Sequence, residues 1–157
     1  MPLLLGVDPG SRQVGLGLLR VEGRRAAFVA AHILKLQPRL LPDRLAVLLE
    51  NWEAYLAEWK PDLVVMEDQY YAQNVKSLVV LSRVSGALLG HARWRGYPVE
   101  LYPPAVIKKT VTGTGQATKD QVEYMVKRFL GLSGDAPPDA LDALAAALCH
   151  AHSAGLC

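Results

Sequence analysis

The chain has 157 residues, of which 51% are hydrophobic and 20% are charged, with a formal net charge of +2 at pH 7. These totals are typical of one soluble globular domain spanning residues 1–157, and they argue against a disordered chain. The mildly basic charge permits a nucleic-acid partner but does not require one, because local clustering matters more than the sum.

The amino terminus and the cysteines indicate a cellular compartment. The apolar start MPLLLGV lacks a basic region and is interrupted by Asp8 and Pro9, unlike a signal peptide. No apolar run approaches the roughly 20 residues needed to span a bilayer. Cys149 and Cys157 provide no disulfide framework, as is usual in a reducing compartment. We therefore expect a cytoplasmic protein that does not enter a membrane.

The first third of the chain predicts three strands. Residues 3–8 form an apolar run that ends at a Pro-Gly turn. Residues 14–22 and 26–36 predict two further strands, with EGRR as the hairpin between them. Because the connection is so short, these two strands are expected to pair antiparallel.

The middle of the chain alternates between helices and strands. Between Pro42 and Pro61 the leucines and tryptophans recur at helical spacing, which predicts an amphipathic helix. The segment DLVVMED then predicts a strand, residues 75–95 a second long helix, and YPVELY a fifth strand.

The last third is predicted to be helical, with one polar interruption at TGTGQATKDQ. Thr118 and Gln121 have the spacing of a capping box, so a helix should start there and run to Leu130. A final helix is predicted from about Pro138 to Ala151. The order β-β-β-α-β-α-β-α-α-α predicts an α/β fold with a five-stranded mixed sheet flanked by helices.

Four acidic residues occupy unusual positions. Asp8 and Glu67 end two apolar strands, and a crossover through the first helix would make these strands parallel. If the strands are also neighbours, the two carboxylates lie within about 5 Å at the edge where α/β folds bind ligands. Asp139 and Asp142 share one helical face, so their negative charges repel each other. The dipole at the start of the helix offsets part of this repulsion, and a bound cation would offset more.

Each acid taken alone has an ordinary explanation. Asp8 could form a turn, Glu67 could be the polar end of a strand, and Asp139 could be a first-turn helix acid. Their convergence favours a site, since a set of oxygen ligands without Cys or His suits a hard cation such as Mg²⁺. A pair of such ions activates water and stabilises the leaving oxygen in phosphodiester cleavage.

Four segments of the chain resemble the RuvC family of Holliday-junction resolvases in order and spacing. They are GVDPGSRQVGLG, MEDQYYAQN, KKTVTGTGQATKDQV and DALDALAAALCHAH, and the similarity extends from residue 3 to about residue 152. The resemblance implies an RNase H-like fold. It also implies catalytic, metal-binding acids at Asp8, Glu67, Asp139 and Asp142 with two Mg²⁺ or Mn²⁺ ions.

The same resemblance implies the reaction and the partners. A homodimer would nick two strands of a four-way DNA junction symmetrically, leaving a 5′-phosphate and a 3′-hydroxyl, in homologous recombination and DNA repair. It would work with a junction-binding protein and a branch-migration motor, of the RuvA and RuvB type.

Three lysines flank the Gly-Thr loop and are candidate DNA contacts: Lys108, Lys109 and Lys119. Lys119 opposes the dipole at the start of its helix, a small cost that a phosphate contact would explain. The resemblance implies that Lys108 and Lys119 act near the scissile phosphate. The alternative for each is an ordinary solvated lysine.

Two tyrosines and two glycines each allow two interpretations, and one histidine allows one. Tyr70 and Tyr71 either pack in the core or stack on an unpaired base, and the resemblance favours Tyr70 as the ring at the junction core. Gly86 and Gly90 permit close helix packing, either across a dimer or within the chain. His150 lies about three turns from Asp139, so it is predicted to be structural.

Three other functions are compatible with parts of the pattern. An RNase H-like enzyme acting on RNA is the nearest, followed by a non-catalytic junction-binding module and by half of an actin-like sugar kinase or ATPase. The chain is too short for the two lobes of such a kinase, and the presence of all four acids favours catalysis. The sequence therefore predicts a metal-dependent endodeoxyribonuclease.

Overall fold

The structure is a computed structural model that describes residues 1–37 and 40–157. The elements follow the predicted order. The strands are β1 (Leu3–Asp8), β2 (Gln13–Glu22), β3 (Arg25–Lys35), β4 (Leu63–Glu67) and β5 (Val99–Tyr102). The helices are α1 (Leu41–Trp59), α2 (Val75–Trp94), α3 (Pro104–Thr112), α4 (Lys119–Leu130) and α5 (Pro138–Ser153).

The strands form one mixed sheet in the order β3-β2-β1-β4-β5. β1 lies at its centre, antiparallel to β2 and parallel to β4, with Val7 opposite Met66. All six residues of β1 are buried. The predicted parallel neighbours are therefore confirmed, and the carboxyl ends of β1 and β4 meet at one edge of the sheet.

The sheet separates two layers of helices. On one face α1 and α2 pack against alternate residues of β1, and the buried core there includes Leu5, Trp52 and Leu88. On the other face α3, α4 and α5 pack around Leu4 and Leu144. This division follows from the strand period of two, which sends successive side chains of β1 to opposite faces.

Helix α5 lies unusually close to the sheet because three glycines face it. A Cβ atom added at Gly6 would lie 1.8 Å from the carbonyl oxygen of Ala143, and one at Gly15 would lie 2.0 Å from that of Asp139. At Gly17 the added atom would lie 2.6 Å from the side chain of Leu144. A side chain at any of these positions would push α5 away from β1 and β2.

The predicted capping box at the start of α4 is confirmed. The Gln121 amide N–H donates to Thr118 Oγ1 at 3.3 Å, and the Thr118 N–H donates to Gln121 Oε1 at 2.9 Å. These reciprocal bonds satisfy two backbone donors that the first turn would otherwise leave unpaired. They fix the position of Lys119, the first residue of the helix.

Two predicted boundaries were wrong by two residues. β5 begins at Val99 rather than at residue 97, because the N–H of Tyr97 donates to Ala92 and so belongs to the end of α2. Helix α5 continues past Ala151 to Ser153, where the N–H of Ala154 still bonds to His150. Within residues 1–37 and 40–157, no helix has the length and apolar character that crossing a membrane requires.

Candidate active site

A cleft of about 660 Å³ opens at the carboxyl edge of β1 and β4. The sheet contributes Asp8 and Glu67, and the first two turns of α5 contribute Asp139 and Asp142. The glycine-mediated approach of α5 to β1 and β2 is what brings the helix acids to the strand acids. All four acids predicted from the sequence therefore line one cleft.

Three of the acids form the tightest group. One carboxylate oxygen from each of Asp8, Asp139 and Asp142 lies within 4.8 Å of the others. Asp8 is only 7% exposed, and it is the one charged side chain that is buried in the described part of the chain. Glu67 lies outside this trio, on the wall of the same cleft.

The carboxylates repel one another in this half-buried setting. Burial raises the pKa of Asp8 well above its usual value, and the negative charges of Glu67, Asp142 and Asp139 raise it further. Burial and then the charge of Asp142 raise the pKa of Glu67 to about 7. A site with this excess of negative charge, made of carboxylate oxygens alone, fits a hard divalent cation.

Two of the three predicted lysines line the cleft. Lys119 Nζ lies 2.9 Å from Asp142 Oδ2 and 4.0 Å from Asp139 Oδ1. Burial alone would lower the pKa of Lys119, but its hydrogen bond and ion pair with Asp142 outweigh that effect and raise it. Lys108 lies close enough to lower the pKa of Glu67. Lys109 is exposed on α3 and does not line the cleft.

Two glutamines that the sequence analysis did not select also contact the acids. Gln69 Nε2 donates to Asp8 Oδ1 at 2.8 Å, and Gln13 Nε2 donates to Asp139 Oδ2 at 2.5 Å. The available signal was proximity in the sequence, since Gln69 follows Glu67 by two residues. For Gln13 the sequence offered no comparable signal, because its partner is 126 residues away.

The two tyrosines after β4 stand at the rim of the cleft. Tyr70 is 64% exposed and Tyr71 is 91% exposed, and both line the opening. The Tyr70 hydroxyl donates to Asp68 Oδ2 at 2.6 Å. The core-packing interpretation of these rings is therefore wrong, and their faces are available to a ligand.

Two other sequence interpretations are decided by the structure. His150 makes a 3.0 Å hydrogen bond with the Tyr102 hydroxyl and packs edge-on against its ring, which confirms a structural role. Gly86 and Gly90 do not mediate packing among residues 1–37 and 40–157, because a Cβ atom at either position would have no neighbour within 4 Å there.

Comparison with known proteins agrees with this architecture. Residues 4–150 match the family model described as crossover junction endodeoxyribonuclease RuvC. The RuvC protein of Bordetella parapertussis is 41% identical over 150 residues, which cover 95% of this chain and 82% of that protein. The RuvC protein of Citrifermentans bemidjiense is 39% identical over 155 residues, covering 98% and 94% of the two chains.

A solved structure gives the same result in three dimensions. RuvC from T. thermophilus, in complex with a Holliday junction substrate, superposes with a TM-score of 0.90 at 30% identity. The match covers 99% of this chain and 96% of that one. The fold is thus RNase H-like, as expected, and the matched proteins are nucleases. The chain belongs to the RuvC family of crossover junction endodeoxyribonucleases.

Proposed function

We propose that this crossover junction endodeoxyribonuclease hydrolyses DNA in the acidic cleft, using Asp8, Glu67, Asp139 and Asp142 as metal ligands. The observation that supports it best is the trio of carboxylate oxygens within 4.8 Å around the buried Asp8. Four carboxylates exceed the one or two through which a single Mg²⁺ is usually held. We therefore propose two ions, Mg²⁺ or Mn²⁺.

The protein's contribution to the chemistry is to hold charge in a fixed place. When bound, divalent cations polarise the phosphate and lower the pKa of the attacking water. Asp8 is grouped with Asp139 and Asp142 and is also close enough to Glu67 for that charge to raise its pKa, so it would be the residue able to hold either ion. Because it is carried by the central strand and Asp139 and Asp142 by a helix packed on that strand, the ligands are held by rigid elements.

Lys119 and Lys108 are proposed to bind the scissile phosphate. Lys119 already holds its ammonium group in the cleft through Asp142, at 2.9 Å. A phosphate entering beside the acids would meet this charge and that of Lys108, which also lines the cleft. Both lysines would offset negative charge on the phosphate as the bond to the leaving oxygen breaks.

The rim of the cleft is proposed to hold the junction. The exposed ring of Tyr70 can stack on a base that is unpaired at the junction centre, with Tyr71 beside it. Lys109, exposed on α3, is proposed to contact a phosphate farther along the same DNA.

Paired incision calls for two copies of the cleft. We propose a homodimer with two-fold symmetry, because two symmetric nicks in a four-way junction need two sites related in that way. The exposed face of α2 supports it: Val75 and Val79 are 77% and 41% exposed, and Gly86 and Gly90 face outward. Cytoplasmic location and work with proteins of the RuvA and RuvB type belong to the same proposal.

Cleavage of synthetic substrates tests this function. The protein should cut a four-way junction in Mg²⁺ or Mn²⁺ and should leave linear duplex DNA, an RNA–DNA hybrid and metal-free reactions uncut. Preferential cleavage of the hybrid would instead indicate an RNA-directed enzyme.

The role of the acids is tested by a matched pair of substitutions. Asp142→Asn should abolish cleavage while junction binding persists, because the change removes a ligand and also a negative charge near DNA. Asp135→Asn alters an exposed acid outside the cleft and should cleave normally. Normal cleavage by Asp142→Asn would remove that residue from the site.

A further inference from the structure

We propose that Gln69 and Gln13 are positioning residues that orient Asp8 and Asp139 for the cations. This inference rests on the proposed function, since it concerns how the same carboxylates are held. It is carried by two hydrogen bonds from side-chain amides to acids of the trio, one from a loop and one from a strand.

Gln69 lies beside both acids of the sheet. Its Nε2 donates to Asp8 Oδ1 at 2.8 Å, across a separation of 61 residues. Its side chain also lies close enough to Glu67 to lower the pKa of that carboxyl. A single amide, two residues beyond the end of β4, thus holds Asp8 at the end of β1 and lies beside Glu67 at the end of β4.

Gln13 makes the corresponding contact to the helix. It is the first residue of β2, and its Nε2 donates to Asp139 Oδ2 at 2.5 Å. Two residues later, Gly15 brings β2 against the carbonyl oxygen of Asp139 itself. Both the backbone and the side chain of Asp139 are therefore located by β2.

The chemistry of an amide suits this role. A carboxylate has two oxygens, and a donor that holds one of them leaves the other free to face the cleft. An amide donates without carrying charge, so it fixes the carboxylate without competing with a cation for it. The third acid of the trio, Asp142, is held differently, by the charged Lys119 at 2.9 Å.

The consequence should appear in metal affinity. Hydrogen-bond partners of metal ligands typically change affinity or activity by about 10- to 100-fold when they are removed. We expect the loss of either amide to weaken cation binding by about 10-fold, with little change in metal-free junction binding, since neither glutamine is charged.

The test is Mn²⁺ binding to the full-length, DNA-free protein, measured by calorimetry. Gln69→Met and Gln13→Met remove the donor and keep an unbranched side chain of similar length. Gln69→Asn keeps an amide but withdraws it by one methylene, which provides a polar variant should Gln69→Met fail to fold. Gln73→Met is the control, because Gln73 is exposed in the same loop and lies outside the acidic cleft.

We expect Kd for Mn²⁺ to rise about 10-fold in Gln69→Met, Gln69→Asn and Gln13→Met and to stay unchanged in Gln73→Met. Mn²⁺ binding by Asp8→Asn, measured in parallel, distinguishes a failure of the positioning role from a failure of the proposed metal site. If Asp8→Asn loses Mn²⁺ while the Gln69 and Gln13 variants bind like the wild type, the positioning role is wrong and the proposed metal site stands. If Asp8→Asn itself binds Mn²⁺ normally, the proposed function is wrong.

Discussion

Glycine has opposite uses on the two sides of this molecule. Gly6 and Gly15 lie on the sheet, where the absence of a side chain lets α5 approach to backbone contact. Gly86 and Gly90 lie on α2, where an added Cβ would have no neighbour within 4 Å. The first pair builds the site from inside, whereas the second pair leaves a surface on which another molecule can pack closely.

The hydrophobic cores on the two faces of the sheet differ in the size of their side chains. The α1 and α2 layer is filled by large side chains such as Trp52, Tyr55 and Leu56. The α5 layer contains more small residues, including Ala145, Ala146 and Ala147. Large side chains hold helices at a distance and tolerate adjustment, while small ones fix the backbone separation. The acids are carried on the face with the fixed separation.

Adding one methyl group at a glycine of each pair should distinguish their two roles most clearly. Gly6→Ala should lower the free energy of unfolding by about 3 kcal/mol or more, because the methyl group would overlap the Ala143 carbonyl oxygen 1.8 Å away. Gly86→Ala should raise the free energy of unfolding of the separated protomer by up to about 1 kcal/mol, as expected for an exposed helix position. Chemical denaturation measures both.

Cleavage of a four-way junction extends the same test. Gly6→Ala should lose cleavage even in the fraction that folds, since α5 carries Asp139 and Asp142. Gly86→Ala leaves these acids in place, so it should still nick single strands of the junction, and its effect should be confined to the pairing of the two nicks. Equal stability of the two variants would show that α5 can move away from the sheet without cost.

The charge cluster should cost stability when no cation is bound. Asp8→Asn should raise the free energy of unfolding in EDTA, because it removes a buried charge among like charges. The asparagine retains an oxygen that can accept from Gln69. Thermal unfolding with and without Mg²⁺ measures the effect.

Adding Mg²⁺ should make the wild type more stable than Asp8→Asn, the reverse of their order in EDTA. The wild type should gain stability as Mg²⁺ is added, because a ligand that binds only the folded state stabilises it, and Asp8→Asn should gain much less. If Asp8→Asn is less stable than the wild type in EDTA, the charge of Asp8 is already neutralised in the metal-free folded protein.

The smallest effect is expected at the start of α4. Thr118→Ala removes the capping box and should cost about 1 kcal/mol, with a modest loss of cleavage because Lys119 begins the same helix. Thr110→Ala removes a hydroxyl bonded to a carbonyl within its own helix and should cost less than about 0.5 kcal/mol. Equal losses of cleavage in the two variants would show that the cap does not hold Lys119.

The sequence predicted the order of elements and the convergence of the four acids, because both follow from local patterns. Alternation, capping residues and strand ends act over a few residues, so Asp8 and Glu67 could be assigned to strand ends directly. Gly6 and Gly15 were not recognised as contacts for α5, because their neighbours Ala143 and Asp139 are more than a hundred residues away.

The fine structure of the site was beyond the sequence for a related reason. Whether an amide donates to a particular carboxylate depends on side-chain directions that are set by packing, as for Gln13 and Asp139. The same holds for Tyr70 and Tyr71, whose exposure depends on where the loop after β4 leaves the sheet. The outward direction of Gly86 likewise required the packing of α2.

The most direct test of the central claim is the location of Mn²⁺ in crystals, by anomalous diffraction. The claim is that α5 and the sheet together form the cation-binding cleft through their close packing. We predict Mn²⁺ bound to Asp8 and to at least one of Asp139 and Asp142. Mn²⁺ bound elsewhere, or bound to acids of the sheet with no acid of α5 in contact, would contradict the account.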